Sequence, residues 1–126
     1  MLTALIVDDS EFMRMTMRKK LTGLGLRIAG EAEGVQAALR EFHKIKPDIV
    51  TLDVTMPDGS GLDCIPEMLA ARRDARIIVM TSRTDQDTVI ESMMLGAVAF
   101  LNKPFTDHEL QETIANVSAG VVARGF

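Results

Sequence analysis

The sequence predicts an α/β fold in which a parallel sheet of five strands is covered by helices on both faces. Five short apolar runs, rich in Val, Ile or Ala, alternate with five longer amphipathic segments along the 126 residues. Most of the loops between them are two to five residues long, the usual length of strand–helix connections. Alternation of this kind gives parallel strands joined by right-handed crossovers, with helices on both faces of a doubly wound sheet.

Each predicted strand is a nearly continuous apolar run, as expected for a strand that is buried on both faces. The predicted strands are residues 2–7, 27–32, 48–53, 76–80 and 97–101. The second run is the least regular, because Gly30 and Glu31 interrupt it. Five β–α units in a chain of this length favour the flavodoxin-like strand order 2-1-3-4-5.

Each predicted helix carries apolar residues at helical spacing. The predicted helices are residues 11–24, 35–45, 61–72, 85–95 and 106–122. Ser10, Thr84 and Thr106 are the expected N-caps, and Glu109 completes a capping box with Thr106. The stop signals are Gly23, Gly25, Pro47 and Gly96. Because Ser10 caps the first helix, the two carboxylates that precede it are expected to be free of that task.

Length and composition predict one soluble cytoplasmic domain spanning residues 1–126, with its core in residues 2–122. Cys64 is the only cysteine, so an internal disulfide is impossible. No apolar run approaches the roughly 18 residues that a membrane-spanning helix needs. The formal net charge of -4 disfavours a nucleic-acid surface or an anionic membrane as partner.

Polar side chains collect where the predicted strands end. Asp8 and Asp9 follow the first strand, and Asp53 ends the third. The fourth and fifth strands are followed by Thr81, Ser82, Asn102 and Lys103. In the predicted order these four strands are neighbours, and ligands of such sheets bind beyond the carboxyl ends of the strands. These side chains are therefore expected to converge in one crevice.

Three carboxylates in one crevice repel one another, so either one takes up a proton or a cation neutralises them. Mg²⁺ suits a site made of carboxylates, waters and a phosphate oxygen. Zinc is disfavoured because neither His43 nor His108 lies near a strand end.

A carboxylate beside such a metal can act as a nucleophile toward phosphorus and form an aspartyl phosphate. Asp53 is the best candidate, because it lies on the central strand and faces the Asp8/Asp9 pair. Lys103 is placed to neutralise phosphoryl charge, and Thr81 to hydrogen-bond a phosphoryl oxygen. The loop "VTMPDGSG" brings backbone close to the site, consistent with a main-chain carbonyl as a further metal ligand.

Four motifs, "VDDS", "TLDVTMPDGSG", "MTS" and "LNKPF", resemble the receiver domains of two-component response regulators, the CheY-like domains. The resemblance covers essentially the whole chain in order and spacing. It implies that Asp53 is the phosphoacceptor and that Thr81 and Lys103 bind the phosphoryl group. It also implies a Mg²⁺ site formed by Asp8, Asp9 as the direct ligand, Asp53 and the backbone carbonyl of Thr55.

The same resemblance implies a switch in which Thr81 and Phe100 take part, Phe100 standing where the family often has Tyr. It implies a cis peptide bond between Lys103 and Pro104. A sensor histidine kinase or phosphotransfer protein would supply the phosphoryl group. A downstream protein would bind the face formed by helix four, strand five and helix five. Met94, Met15 and Phe12 are further candidates for a docking face. A monomer is expected, with a dimer as the alternative.

The function predicted from the sequence is a phosphorylation-activated signalling switch, not an enzyme beyond its own phosphorylation and dephosphorylation. One alternative is a receiver domain cut from a longer regulator with a methylesterase or DNA-binding output. A second is a small phosphatase with an aspartyl nucleophile, which usually needs another acid where this chain has Thr55. A nucleotide or flavin binder would need a phosphate loop after strand one, and "DDSEF" has the opposite charge.

Overall fold

A computed structural model describes residues 1–82 and 86–120, and its centre is a five-stranded parallel sheet. The strands are β1 Thr3–Val7, β2 Arg27–Ala32, β3 Ile49–Asp53, β4 Arg76–Thr81 and β5 Ala99–Asn102. They lie side by side in the order β2-β1-β3-β4-β5, and all neighbouring pairs are parallel. The predicted strand order is therefore confirmed.

The helices are α1 Glu11–Gly23, α2 Val35–Ile45, α3 Ile65–Ala71, α4 Gln86–Met94 and α5 Asp107–Ser118. The third helix, predicted over 61–72, begins instead as a 3₁₀ turn at Gly61–Cys64, and Pro66 then lies in the first turn of α3. Because Pro has no backbone N–H to donate, the start of a helix tolerates it well. The predicted cap at Thr84 and the predicted helix end at 121–122 fall outside the described residues.

Two of the predicted helix caps are confirmed. The Ser10 hydroxyl accepts a hydrogen bond of 3.2 Å from the backbone N–H of Met13. Thr106 and Glu109 form a reciprocal capping box, with N–H···O distances of 3.0 and 2.9 Å. These contacts satisfy N–H groups that have no partner within the first turn of a helix.

The sheet separates two apolar layers. One face of β1 contributes Leu5 and Val7 to a cluster with Phe42 of α2 and Met68 of α3. The other face contributes Ala4 and Ile6 to a second cluster, which contains Met17 and Leu21 of α1 and Ile114 of α5. Every side chain of Ala4–Val7 is fully buried, which explains why this strand reads as a continuous apolar run rather than an alternating one.

The irregularity of the second strand is a β-bulge. Ala4 pairs with Ile28, but the next residue, Leu5, pairs with Gly30, so Ala29 has no direct partner. Gly30 then lies against α2, where an added Cβ would be 2.5 Å from the Cδ1 atom of Ile45. The extra residue changes the face to which every later side chain of β2 points.

Candidate functional site

Four of the polar side chains at the strand ends, those of Asp8, Asp9, Asp53 and Lys103, meet at the carboxyl edge of the sheet. Asp8, Asp9 and Asp53 each have a carboxylate oxygen within 4.8 Å of the others. Asp8 and Asp53 are buried, with 1% and 7% of their surface exposed, whereas Asp9 is exposed. The order β1-β3-β4-β5 brings these carboxylates and Lys103 to one crevice, as the sequence predicted.

This cluster fits Mg²⁺ by the chemistry of its donor atoms. All of its ligand atoms are carboxylate oxygens, and no described His or Cys contributes one. Hard oxygen ligands are the ones that Mg²⁺ prefers, whereas zinc sites are built mainly from nitrogen and sulfur. Asp8, Asp9 and Asp53 are therefore the residues that could hold a divalent cation.

Four hydrogen bonds hold Asp8 in place. Its backbone N–H donates to the Ala32 carbonyl at 3.0 Å, and its own carbonyl accepts from Arg14 Nη1 at 2.7 Å. Its two carboxylate oxygens accept from the Ser10 N–H at 3.0 Å and from Lys103 Nζ at 2.7 Å. Ser10 is the N-cap of α1, as predicted, so neither carboxylate has to cap the helix; Asp8 has a different task, because it accepts from the N–H of Ser10 itself.

Asp9 contrasts with its neighbour. It is exposed, and its carboxylate makes no hydrogen bond or ion pair within residues 1–82 and 86–120. A carboxylate that is held by nothing else keeps its oxygens available for a cation.

Among residues 1–82 and 86–120, Lys103 provides a cation to the site. Its ammonium lies 2.7 Å from Asp8 Oδ2 and 3.3 Å from Asp53 Oδ1. Burial acts to lower the pKa of Lys103, but the hydrogen bond to Asp8 and the charge of Asp53 outweigh it and raise that pKa above its ordinary value. Lys103 is therefore charged at neutral pH. The peptide bond to Pro104 is cis, as the resemblance implied.

The Asp53 carboxyl has a pKa of about 6, well above its ordinary value of 3.8. Burial is the largest cause, and the neighbouring charges of Asp8 and Asp9 act in the same direction. The charge of Lys103 and its hydrogen bond act against them. Burial of a carboxylate favours its neutral form, so a bound cation would stabilise the ionised form that a nucleophile requires.

The loop after β3 turns back over Asp53 as a short hairpin, in which Thr55–Met56 pairs with Gly59–Ser60. The Gly61 N–H donates to the Val54 carbonyl at 2.7 Å, and an added Cβ on Gly61 would lie 1.9 Å from the Asp53 carbonyl oxygen. Only a residue without a side chain allows this approach. Thr55 lies in the hairpin, two residues after Asp53, and its carbonyl stays a predicted metal ligand.

Asp58, at the tip of the hairpin, caps the N-terminus of α2, although the two are far apart in sequence. Its carboxylate oxygens accept from the N–H groups of Val35 at 2.8 Å and Gln36 at 3.1 Å, and these bonds lower the pKa of Asp58. Gly34, the residue before Val35, leaves room for the Asp58 carboxylate, because a Cβ at position 34 would lie 2.7 Å from Asp58 Oδ1. This cap is not predicted by the sequence patterns, although the residues "PDG" indicate a turn at Asp58.

The two predicted switch residues lie on neighbouring strands. Thr81 is the last residue of β4 and is 1% exposed. Its carbonyl accepts the Lys103 N–H at 2.8 Å, so the backbone connects the ends of β4 and β5. Phe100 is half-buried on β5, pairs with Val79 and packs against the apolar layer that contains α2 and α3. Of the residues proposed for a docking face, Met94 is 82% exposed.

Comparison with known proteins points to one family. The family model for the response regulator receiver domain matches residues 4–115. The chemotaxis protein CheY of Thermotoga maritima is 41% identical over 114 residues, or 90% of this chain and 95% of that protein. The DNA-binding transcriptional activator DevR/DosR of Mycobacterium tuberculosis is 30% identical over 121 residues, or 95% of this chain but 56% of that protein.

A solved structure of a CheY complex is similar to this chain in fold. The crystal structure of the CheX-CheY-BeF3-Mg²⁺ complex from Borrelia burgdorferi contains a chain with 28% identity and a TM-score of 0.86. The match covers 93% of this chain and 89% of that one. Within the described residues, no helix is both long and apolar enough to cross a bilayer.

Proposed function

This chain belongs to the response regulator receiver domain family, and from that premise we propose that it is a phosphorylation-activated signalling switch of the cytoplasm. Asp53 accepts a phosphoryl group from a sensor histidine kinase or a phosphotransfer protein, and the added charge alters a protein-binding face. The observation that carries the proposal is a buried carboxylate, Asp53, with an oxygen within 4.8 Å of the Asp8 and Asp9 carboxylates and 3.3 Å from the Lys103 ammonium.

The proposed metal site consists of Asp8, Asp9, Asp53 and the carbonyl of Thr55, with Asp9 as the direct carboxylate ligand. Mg²⁺ bound there supplies positive charge to phosphoryl oxygens. Asp9 suits direct ligation because it is exposed and otherwise unengaged within the described residues. Asp8 instead uses both of its oxygens to hold Ser10 and Lys103.

Asp53 is the proposed nucleophile. An Asp53 oxygen forms a bond to phosphorus while the bond between phosphorus and the donor's histidine nitrogen breaks. The reaction needs the ionised carboxylate, and a pKa of about 6 leaves Asp53 mostly ionised at pH 7. Lys103 lies 3.3 Å from the attacking carboxylate, close enough for its ammonium to neutralise charge on the incoming phosphoryl group.

The response is proposed to pass through Thr81 and Phe100. A phosphoryl group on Asp53 offers acceptor oxygens to the Thr81 hydroxyl and the Lys103 ammonium. The Lys103 N–H is bonded to the Thr81 carbonyl, so movement at one strand end reaches the other. Phe100, half-buried on β5, then repacks and changes the face of α4, β5 and α5. The output is binding to a protein partner.

A receiver domain within a longer regulator is the second candidate, and one comparison favours it. The chain matches only 56% of the length of DevR/DosR, whereas it matches 95% of the length of the Thermotoga CheY. The length of the native open reading frame distinguishes the two possibilities, and both retain the same phosphoacceptor site.

Intact-mass spectrometry after incubation with acetyl phosphate and Mg²⁺ tests the function. We expect a single phosphoryl adduct that disappears in EDTA and in Asp53→Ala. Asp63→Ala is the matched control, because Asp63 is an exposed acid in the 3₁₀ turn that follows the same loop, and it should retain the adduct. An adduct that persists unchanged in Asp53→Ala would exclude Asp53 as the phosphoacceptor.

A further inference from the structure

We propose that Arg14 is a positioning residue: it fixes the peptide between Asp8 and Asp9 and thereby sets the place of the Asp9 carboxylate in the metal site. Arg14 Nη1 donates to the Asp8 carbonyl at 2.7 Å, and only 15% of the Arg14 side chain is exposed. The inference rests on the proposed Mg²⁺ site and adds to it a residue outside the carboxylate cluster.

Geometry explains how one hydrogen bond reaches Asp9. The Asp8 carbonyl belongs to the same planar peptide unit as the N–H and Cα of Asp9. Holding that oxygen therefore fixes the direction in which the chain enters Asp9. Asp9 is exposed and its carboxylate has no hydrogen-bond partner in the described part of the chain, so its position depends mainly on this backbone.

Arg14 is itself held in place by Glu31 of β2. The Arg14 Nε atom lies 3.5 Å from Glu31 Oε1, and Arg18, one turn further along α1, bonds the other oxygen of Glu31 at 2.5 Å. Arg18 shares the partner of Arg14, but none of its contacts involves Asp8 in the described structure. It is therefore a natural comparison for Arg14.

The β-bulge at Ala29 makes this arrangement possible. Because of the extra residue, Glu31 pairs with Ile6, whose side chain packs on the α1 face of the sheet. In an unbroken register Glu31 would pair with Val7 and point toward α2, since directly paired residues of neighbouring strands share a face. The bulge thus aims Glu31 at α1, where Arg14 lies.

A positioning role for Arg14 and a purely electrostatic effect of its charge predict opposite changes in Mg²⁺ affinity when Arg14 is removed. Arg14 is a cation near a cation site, so by Coulomb's law alone its removal would strengthen Mg²⁺ binding. If Arg14 instead positions Asp9, its removal weakens binding. Partners that orient a metal ligand typically contribute about 10- to 100-fold in metal affinity. The sign of the change therefore separates the two explanations.

The test is a Mg²⁺ titration of the full chain. Calorimetry and amide chemical shifts are used to measure binding during the titration. Arg14→Met keeps an unbranched stem but removes the donor, Arg14→Lys keeps a charged donor, and Arg18→Met removes the same charge without touching Asp8. We expect Arg14→Met to bind Mg²⁺ about tenfold more weakly. Arg14→Lys should recover most of this loss, and Arg18→Met should stay within about twofold of the unmodified chain.

A second readout needs no metal. Loss of the Arg14 hydrogen bond should shift the carbonyl carbon resonance of Asp8 and the amide resonance of Asp9 in Arg14→Met, but not in Arg18→Met. Unchanged or tighter Mg²⁺ binding by Arg14→Met, or equal losses in both Met variants, would overturn the positioning role. If the unmodified chain binds no Mg²⁺, the proposed metal site fails, and the inference fails with it.

Discussion

The Lys103 ammonium is bound to Asp8 more closely than to the proposed phosphoacceptor. It lies 2.7 Å from Asp8 Oδ2, whereas Asp53 Oδ1 is 3.3 Å away. Because only 1% of Asp8 is exposed, Lys103 is the group that neutralises a buried charge. Lys103 thus has a structural task in addition to its proposed role toward the phosphoryl group.

Replacing Lys103 by Met should leave the Asp8 carboxylate buried without its cation. Without Mg²⁺ we expect the free energy of unfolding to fall by about 3 kcal/mol, as when one partner of a buried ion pair is removed. Mg²⁺ should restore much of this loss, because it replaces the missing positive charge. Urea denaturation in EDTA and in Mg²⁺ measures both effects. Lys44→Met, at an exposed position of α2, is the control. It should change neither the unfolding free energy in EDTA nor the effect of Mg²⁺ on it.

The Lys103→Met variant should also bind Mg²⁺ yet lose the conformational response to phosphorylation. The amide chemical shifts of α4, β5 and α5, recorded before and after acetyl phosphate, measure that response. Equal shift changes in the variant and the unmodified chain would contradict the proposed role of Lys103 as a reader of phosphoryl charge.

The raised pKa of Asp53 predicts a pH dependence of stability. The folded-state pKa is about 6 and the ordinary value is 3.8, so the folded chain holds this proton more tightly than the unfolded chain. The resulting stabilisation is present below about pH 4 and is lost as the pH rises through about 6. The Asn side chain of Asp53→Asn cannot ionise. Without Mg²⁺, the unfolding free energy of this variant relative to that of the unmodified chain should therefore increase by about 2 kcal/mol as the pH rises from about 4 to above 6.

Denaturation curves at several pH values between 4 and 7.5 provide the measurement. Asp63→Asn, which alters an exposed acid in the 3₁₀ turn, should follow the unmodified chain at every pH. Parallel stability curves for Asp53→Asn and the unmodified chain would show that Asp53 is not destabilised by ionisation.

The cap that Asp58 places on α2 should protect specific amides. We expect Asp58→Ala to lower the Tm and to accelerate hydrogen exchange at Val35 and Gln36, whose N–H groups lose their acceptor. Gly34→Ala should do the same, because its Cβ would displace the Asp58 carboxylate. The double variant should then exchange no faster than either single one, whereas additive effects would argue against a shared cause.

Gly61 should tolerate no side chain. The Cβ of Gly61→Ala would lie 1.9 Å from the Asp53 carbonyl oxygen, so the loop has to move. We expect a loss of about 2 kcal/mol in unfolding free energy, as for other overpacked sites, together with weaker Mg²⁺ binding. Gly23→Ala, where nothing lies within 4 Å of the added Cβ, should be neutral or about 0.5 kcal/mol more stable. Similar results for both variants would contradict the close approach.

The strands and the convergence of their ends were predictable because both follow from local patterns and from topology. Ile49, Val50 and Leu52 of β3 are fully buried, so the strand carries an apolar run that can be recognised without the structure. Once the strand order is fixed, the residues after β1, β3 and β5 must meet at one edge. This is why Asp8, Asp53 and Lys103 could be grouped from the sequence.

The contacts that hold the site were not predictable in the same way. Asp58 is 23 positions from Val35, and Lys103 is 95 positions from Asp8. Such bonds depend on the final packing and leave no periodic pattern in the chain. The bulge at Ala29 appears in the sequence only as a weak apolar run. The proposed role of Arg14 has no sequence signal of its own, because helical periodicity identifies only the apolar face of α1.

The bulge in β2 has a further consequence, for the behaviour of the chain at high concentration. β2 and β5 are the two edges of the sheet, and a long, flat edge offers unpaired N–H and C=O groups to a strand of another molecule. Here β2 is broken at Ala29 and β5 has only four residues. The same irregularity that turns Glu31 toward α1 therefore also disfavours edge-to-edge aggregation of folded chains.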